Sequence, residues 1–433
     1  MISVKEALEI ILNEIKPLAA ESVDILSAMG RVSYEDVYAG RPNPPWDNSA
    51  MDGYALRAED VSAAGPDSPV TLKVIYDLPA GAVPKGAVGA GEAVRIMTGA
   101  PVPDGATAVV MVEYTNIPSN TPTLPSPVKG KEKRKGSSGS VNILQKARPG
   151  ENIRRGGEDF KAGDLVIKKG SLIRPAEVCM LATIGTPEIK VYKRPTIAVI
   201  STGDELVDIN EEPGPGKIIN SNGYAICSLV AEAGAVYRQL GIARDTKEAL
   251  RERLEAGIKA DCIITSGGVS VGDYDFVKDV LKDMGSDMRF WKVALKPGKP
   301  LAFGVIKGRP AFGLPGNPIS SMVAFEQFVR PALLKMAGRD DIFRAAIAAR
   351  LTKDVKIKPG RMTFLRAELA METAGQGYHV SPLDAQGSGV ISTMVRANAF
   401  IIVPEDAAGF KAGETVKCQP FDTSILQNRK TCY

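Results

Sequence analysis

The sequence predicts a multidomain α/β plus β chain. It comprises a three-layer α/β sheet domain, an inserted β-rich domain and a small C-terminal β-barrel or sandwich. Three observations carry this. Between residues 194 and 338 short apolar runs alternate with helical patterns, as in a mostly parallel sheet covered on both faces. From about Arg41 to Tyr114 the chain is rich in Pro and Gly, with short β-type runs. After Gly338 the helical pattern fades and short alternating stretches replace it. At roughly 100–200 residues per domain, 433 residues make about two to four domains.

The elements follow in order. Ser3 and Glu6 form a capping box, after which Val4, Leu8, Ile11, Ile15 and Leu18 recur at helical spacing. This opens an N-terminal helical and extended domain, residues 1–40 and 142–193, interrupted by the inserted β-rich domain, residues 41–141. Within the insert, Val70–Val74 and Ala106–Val112 read as strands. Residues 116–141 are low in complexity: prolines among Ser and Thr, a basic run Lys129–Lys135, then Gly136–Ser140. They predict a flexible, solvated loop. The chain resumes with a strand at Asn142–Leu144.

In the α/β domain, residues 194–338, strands are predicted at Thr196–Ile200, Ala235–Leu240, Cys262–Thr265, Phe290–Leu295 and Leu301–Val305. Helices start after Asn220-Ser221-Asn222, at Asp245 or Thr246, at Asp275 and at Asn317-Pro318, the last running to about Met336. In the terminal β-domain, residues 339–433, Ala345–Leu351, Thr363–Leu369, Tyr378–Pro382 and Phe400–Val403 read as strands.

Composition excludes several classes. Lys and Arg number 54 against 50 Asp and Glu, short of the basic excess of a dedicated nucleic-acid binder. No apolar run reaches the roughly 18 residues of a membrane span, and the first residues lack a signal-peptide pattern. The five cysteines form no C-x-x-C, which predicts a reducing cytoplasm. His379 is the only histidine, and it reads as a strand-face residue. Chemistry therefore falls to carboxylates, lysines, backbone amides and a hard metal.

Ligands of parallel sheets bind beyond the carboxyl ends of the strands, and three segments fall there. The first is Ser201-Thr202-Gly203-Asp204-Glu205. The second runs from Thr265 through Ser266, Gly267, Gly268, Ser270, Gly272 and Asp273 to Asp275. The third is Leu314-Pro315-Gly316-Asn317-Pro318. Each alone is ordinary turn material. Together they describe a bowl for phosphate or a related oxyanion, with backbone N–H groups and hydroxyls as donors. Asp204, Glu205, Asp273 and Asp275 lie in the same loops, and an anion site lined by carboxylates calls for a cation such as Mg²⁺. Lys292 and Lys296 are placed on one face of an extended strand, with Lys299 after a Pro-Gly turn, a ladder suited to a doubly charged oxyanion. Asp47-Asn48-Ser49-Ala50-Met51-Asp52 and Met97-Thr98-Gly99-Ala100-Pro101 read locally as rigid turns.

Taken in order, these motifs resemble the MoeA-type molybdopterin molybdenumtransferases, a family related to the gephyrin E domain. The matching segments are Asp47–Ala55, Met97–Pro103, Gly150–Arg155, Ser201–Leu206, Ser266–Gly272, Lys296–Pro300 and Leu314–Pro318. The resemblance implies a four-domain subunit, a homodimer with a shared cleft, and a sheet domain similar to the molybdopterin-binding adenylyltransferases. It implies insertion of molybdate into adenylylated molybdopterin with release of AMP, dependent on Mg²⁺. By matching position it implies functional acids at Asp52, Asp159, Glu205, Asp245 and Asp275, with Thr98, Lys292, Lys296 and Ser388 as polar partners. Asp52 and Thr98 would reach the pocket from the other subunit, while Lys292 and Lys296 would hold molybdate or phosphate. A molybdopterin adenylyltransferase is an implied partner. The alternatives are a non-catalytic molybdopterin-binding scaffold, or an adenylyltransferase built on the sheet domain alone.

Overall fold

The computed structural model describes residues 1–116, 139–268, 276–372 and 377–422, the side chains of 276–278 excepted. Most of the 116–141 segment lies outside them, as do Ser270, Gly272, Asp273 and Asp275. Contacts divide the chain into two units. One comprises Met1–Glu35, Lys169–Val178 and Pro187–Tyr433; the other comprises Asp36–Lys168 and Cys179–Thr186.

The first unit begins with helix Val4–Glu14. Ser3 Oγ accepts from Glu6 N–H at 3.1 Å, and Glu6 Oε2 accepts from Ser3 N–H at 2.8 Å, the reciprocal cap anticipated from sequence. Its buried face, Val4, Ala7 and Ile11, joins the core beneath a six-stranded sheet.

That sheet runs in spatial order Val236–Ala243, Thr196–Thr202, Cys262–Ser266, Arg309–Leu314, Pro300–Ile306 and Ser286–Lys292. The first four strands are parallel; the last two pair antiparallel. Helices Ser221–Glu232, Lys247–Gly257, Phe276–Asp283 and the Pro318–Met336 segment accompany it. Thr246 Oγ1 caps the second of these by accepting from Ala249 N–H at 3.2 Å. Phe303 and Phe312 touch across neighbouring strands with ring centroids 4.9 Å apart. Both are fully buried, and side chains of this class contribute about 1.5–3 kcal/mol each.

Three details depart from the sequence pattern. Arg309–Leu314 is a central strand although Pro310 and Gly313 argue against one locally; pairing on both sides overrides propensity. The last helix divides into Pro318–Ala324, a π-turn Phe325–Val329 and Arg330–Met336, with Arg330 N–H donating to Phe325 O. Pro331 follows, and a widened turn accommodates a ring that an α-helix interior would not. Lys292 and Lys296 do not share a strand. Lys292 ends a sheet strand, while Leu295–Lys296 pairs in parallel with Met362–Thr363 of the C-terminal domain.

The C-terminal strands close into a barrel: Met362–Met371, Tyr378–Pro382, Ile347–Leu351, Thr415–Pro420 and Ala399–Val403, the last returning to the first. His379 lies on the second of these strands. Strand Thr415–Pro420 was not anticipated, because its pattern is short and follows a Gly-rich turn. The linker into the barrel is tied back at the π-turn. Glu326 is 6% exposed, and its Oε1 accepts from Arg344 Nε at 2.5 Å. Arg344 also reaches Glu232 at 3.0 Å, and Arg330 lies 3.8 Å from Glu326.

The second unit holds a six-stranded sheet in the order Ala108–Met111, Gly53–Leu56, Glu92–Ile96, Val70–Leu78, Gly139–Ile143 and Thr115–Asn116. Gly53 sits where a Cβ would lie 2.0 Å from Val110 O, so no larger residue fits this pairing.

Candidate functional site

Four parallel strands deliver their carboxyl ends to one edge of the first unit's sheet. After Thr202, Gly203 turns with φ +147°, and a Cβ there would lie 2.4 Å from a Glu205 carboxylate oxygen. Glycine is what allows Glu205 to fold back. Asp204 and Asp245 brace one another: Asp245 N–H donates to Asp204 Oδ1 at 3.1 Å, and Asp204 N–H to Asp245 Oδ2 at 3.2 Å. Lys217 Nζ donates to Asp204 O at 2.6 Å, and Arg244 Nη1 to Leu206 O at 2.9 Å. Asp204 and Asp245 are thus backbone braces that hold the Ser201–Glu205 loop to the loop after strand Val236–Ala243.

Ser201 turns inward. It is 2% exposed, and its hydroxyl donates to Asn220 Oδ1 at 2.8 Å. Gly267 has φ +91°, and a Cβ there would lie 2.5 Å from Thr202 O, so the first two strand ends pack backbone to backbone. Asn222 bridges the next two ends: its Nδ2 donates to Ser266 Oγ at 3.1 Å and to Gly316 O at 2.7 Å. The result is a pocket of about 80 Å³ lined by Thr202, Glu205, Asn222, Ser266, Gly267 and Gly316, among others. Gly267 and Gly268 also wall a narrow apolar cavity of about 30 Å³ beside Thr265 and Trp291.

The third loop turns into a helix. Ser321 Oγ donates to Pro315 O, and Ser321 N–H to Asn317 O at 3.0 Å. Ile319 N–H donates to Ser388 O at 3.2 Å, which draws the Ser388 loop of the barrel onto the helix start. Beyond it opens a larger cleft of about 640 Å³. Lys296 and Lys299 stand in its lining with Ser320 and Ser388, and the barrel adds Lys353, Lys356 and Arg361. Its acids are engaged: Asp354 accepts from Lys411 and Ala412, and Asp384 from Lys353. The lining thus carries five cations against two acids, a net positive cleft in which Lys353 is already paired. Lys292 is not in its lining.

The second unit carries its own carboxylates. Asp52 Oδ1 accepts from Thr98 N–H at 2.7 Å and from Thr98 Oγ1 at 2.8 Å. These bonds hold the Asp52 carboxyl below its ordinary range. Asp47 accepts from Gly156 N–H at 2.8 Å and from Arg155 Nη1 at 2.5 Å, and its pKa is lowered likewise. Asp159 Oδ2 accepts from Asn43 Nδ2 at 2.9 Å.

Some site residues were not legible. Arg366 is fully buried; its Nη2 donates to Ala385 O at 2.9 Å and Gly387 O at 3.1 Å, just before Ser388. Its Nε and Nη1 have no partner among the described residues. A lone arginine in a strand pattern reads as a surface residue, so no local signal could have found it. Asn222 lay inside a recognised helix start and looked like capping material. Among the described residues no group of three or more His, Cys, Asp or Glu could hold a metal ion. Among the described residues Glu205 is the carboxylate lining the pocket at the strand ends, and one carboxylate completed by ligand oxygens and waters is a donor set that suits Mg²⁺.

The chain is similar to known proteins along nearly its whole length. Residues 2–185 match the profile of the MoeA N-terminal region (domain I and II), 198–335 that described as "Probable molybdopterin binding domain", and 348–421 that of the MoeA C-terminal region (domain IV). A molybdopterin molybdenumtransferase of Staphylococcus aureus (strain COL) is 38% identical over 419 residues, covering 96% of this chain and 94% of the relative. One from Haemophilus influenzae is 35% identical over 408 residues, covering 94% and 95%. The solved structure of the molybdopterin biosynthesis MoeA protein of Pyrococcus horikoshii OT3 superimposes with a TM-score of 0.79 at 31% identity, covering 97% of this chain and all of that one.

Proposed function

The chain belongs to the MoeA family of molybdopterin molybdenumtransferases, and from this premise we propose that it inserts molybdate into adenylylated molybdopterin, with cleavage of the adenylate and release of AMP. The observation that carries the reading is one turn serving two sites. Gly316 lines the oxyanion pocket that holds Glu205, and Ser320, four residues on, lines the cationic cleft. A substrate with a phosphate and an incoming oxyanion needs both.

The Thr202 and Ser266 hydroxyls orient the pterin phosphate. Mg²⁺ held by Glu205 and the substrate phosphates would supply charge neutralisation there. Lys296 and Lys299 hold molybdate, and Lys353, Lys356 and Arg361 add to the field that attracts it. Arg366 fixes the Ser388 loop against the helix start. The chemistry is positioning plus preorganised electrostatics, and no side-chain nucleophile takes part.

The working form is a homodimer in which Asp52 and Thr98 of one subunit face the sheet loops of the other. A molybdopterin adenylyltransferase supplies the substrate. The described cysteines are free thiols, which suits the cytoplasm, and among the described residues no helix is long and apolar enough to cross a membrane.

The test mixes purified protein with adenylylated molybdopterin, Mg²⁺ and molybdate and follows AMP. Release should depend on molybdate and fall at least about 100-fold in Glu205→Ala, the loss typical of removing a preorganised transition-state contact. Tight molybdopterin binding with no AMP release would favour the scaffold reading instead.

A further inference from the structure

We propose that Asn222 is a positioning residue that turns the Ser266 hydroxyl into a dedicated donor toward the substrate's oxyanion. The assignment rests on the oxyanion-pocket reading above and adds a residue to it.

The hydrogen bonds around Asn222 settle their own direction. Gly316 O is a pure acceptor, so the atom 2.7 Å from it must be the side-chain NH₂. The opposite amide orientation would set two acceptors against each other. The second hydrogen of the same NH₂ points at Ser266 Oγ, 3.1 Å away. Ser266 therefore accepts from Asn222, and among the described residues its Oγ makes no other hydrogen bond. A hydroxyl whose lone pair is engaged this way keeps its own O–H for another acceptor. Ser266 is 3% exposed and lines the pocket, which places that O–H within reach of a ligand atom.

The neighbouring hydroxyl shows the contrast. Ser201 spends its proton on Asn220 Oδ1. Two asparagines on one helix start thus assign opposite roles to two serines at adjacent strand ends: Asn220 as acceptor consumes a proton, and Asn222 as donor frees one. Among the described residues Asn222 Oδ1 is buried without a partner, and the side chain's hydrogen bonds there are the two its NH₂ donates.

Asn222→Asp reverses the arrangement. The carboxylate takes the Ser266 proton, and a negative charge enters the pocket. A double-mutant cycle with Ser266→Ala tests the mechanism, read as KM for adenylylated molybdopterin in the AMP-release assay and as molybdopterin affinity by calorimetry. Asn222→Asp and Ser266→Ala should each weaken binding about tenfold or more, the range for a hydrogen bond to a charged group. Asn222→Ala should weaken binding in the wild-type background and add little in the Ser266→Ala background. It also serves as the partner variant if Asn222→Asp does not fold. Equal losses from Asn222→Ala in both backgrounds would mean that Asn222 acts only by holding Gly316, and would overturn the assignment. Wild-type binding in Asn222→Asp would overturn it outright. A wild-type protein that neither binds molybdopterin nor releases AMP would sink the functional reading, and this assignment with it.

Discussion

At the scale of single residues, the candidate site is a set of polar atoms whose hydrogen-bond duties are already allotted. Asp52 is the clearest case. Two donors from Thr98 converge on one oxygen and hold its pKa below the ordinary 3.8. A carboxylate with a depressed folded pKa adds stability above its unfolded value, and that stability is lost as pH falls through the folded value. Thr98→Val removes the O–H donor and keeps the backbone one. The Asp52 midpoint should then move up toward 3.8, and the share of stability that Asp52 loses on acidification should shrink, because the window between its unfolded and folded values narrows. Carboxyl resonances followed by NMR against pH would register the change; an unmoved midpoint would mean that the backbone bond alone sets it. The sequence displayed Asp52 and Thr98 as members of two separate turns, and only the folded sheet shows that one serves the other.

At the scale of elements, the Pro318–Met336 segment joins the site to the barrel. Its π-turn places Glu326 in the interior, where burial raises the carboxyl pKa and the Arg344 hydrogen bond opposes the rise. Such a pair is weak support for stability while intact, yet costly to break from one side. Glu326→Ala leaves Arg344 and Arg330 without this partner and should destabilise the chain by about 3 kcal/mol, measurable by urea unfolding. A change under about 1 kcal/mol would mean that Glu232 compensates. The helix itself was legible, because Asn317-Pro318 opens it and apolar spacing sustains it. The π-turn was not legible, because a proline inside an apolar helical pattern marks a break or kink without saying which form it takes. Likewise the Ser201–Glu205 loop could be placed at a strand end from the apolar run before it. Strand Arg309–Leu314 was hidden, since its stability comes from partners 48 residues upstream and on the adjoining hairpin.

At the scale of the whole molecule, the proposed homodimer has Asp52 of one subunit and Glu205 of the other serving one cleft. Mixing inactive Asp52→Asn subunits with inactive Glu205→Ala subunits should restore AMP release, because a mixed dimer holds one cleft free of both substitutions. About a quarter of wild-type activity is expected from random pairing in a homodimer with two equivalent clefts. No recovery, with mixed dimers demonstrated by mass, would place both residues in one subunit's cleft. The parallel-sheet domain and the terminal β-barrel were readable from shifts in texture along the chain. The charge of the cleft was not, because Lys296 and Lys299 meet Lys353, Lys356 and Arg361 only when the barrel closes.

The two-residue strand Leu295–Lys296 makes the barrel a debtor to what precedes it. The ribosome releases residues 295–296 long before the barrel strands, so the stretch stands ready as a template when Met362–Thr363 arrive. A fragment cut at residue 338 would present Met362–Thr363 with an unsatisfied flank and invite association with any extended chain nearby. For anyone wishing to graft this barrel elsewhere, the transplant must carry a copy of Val293–Pro300, the stretch that bears two of the cleft's lysines.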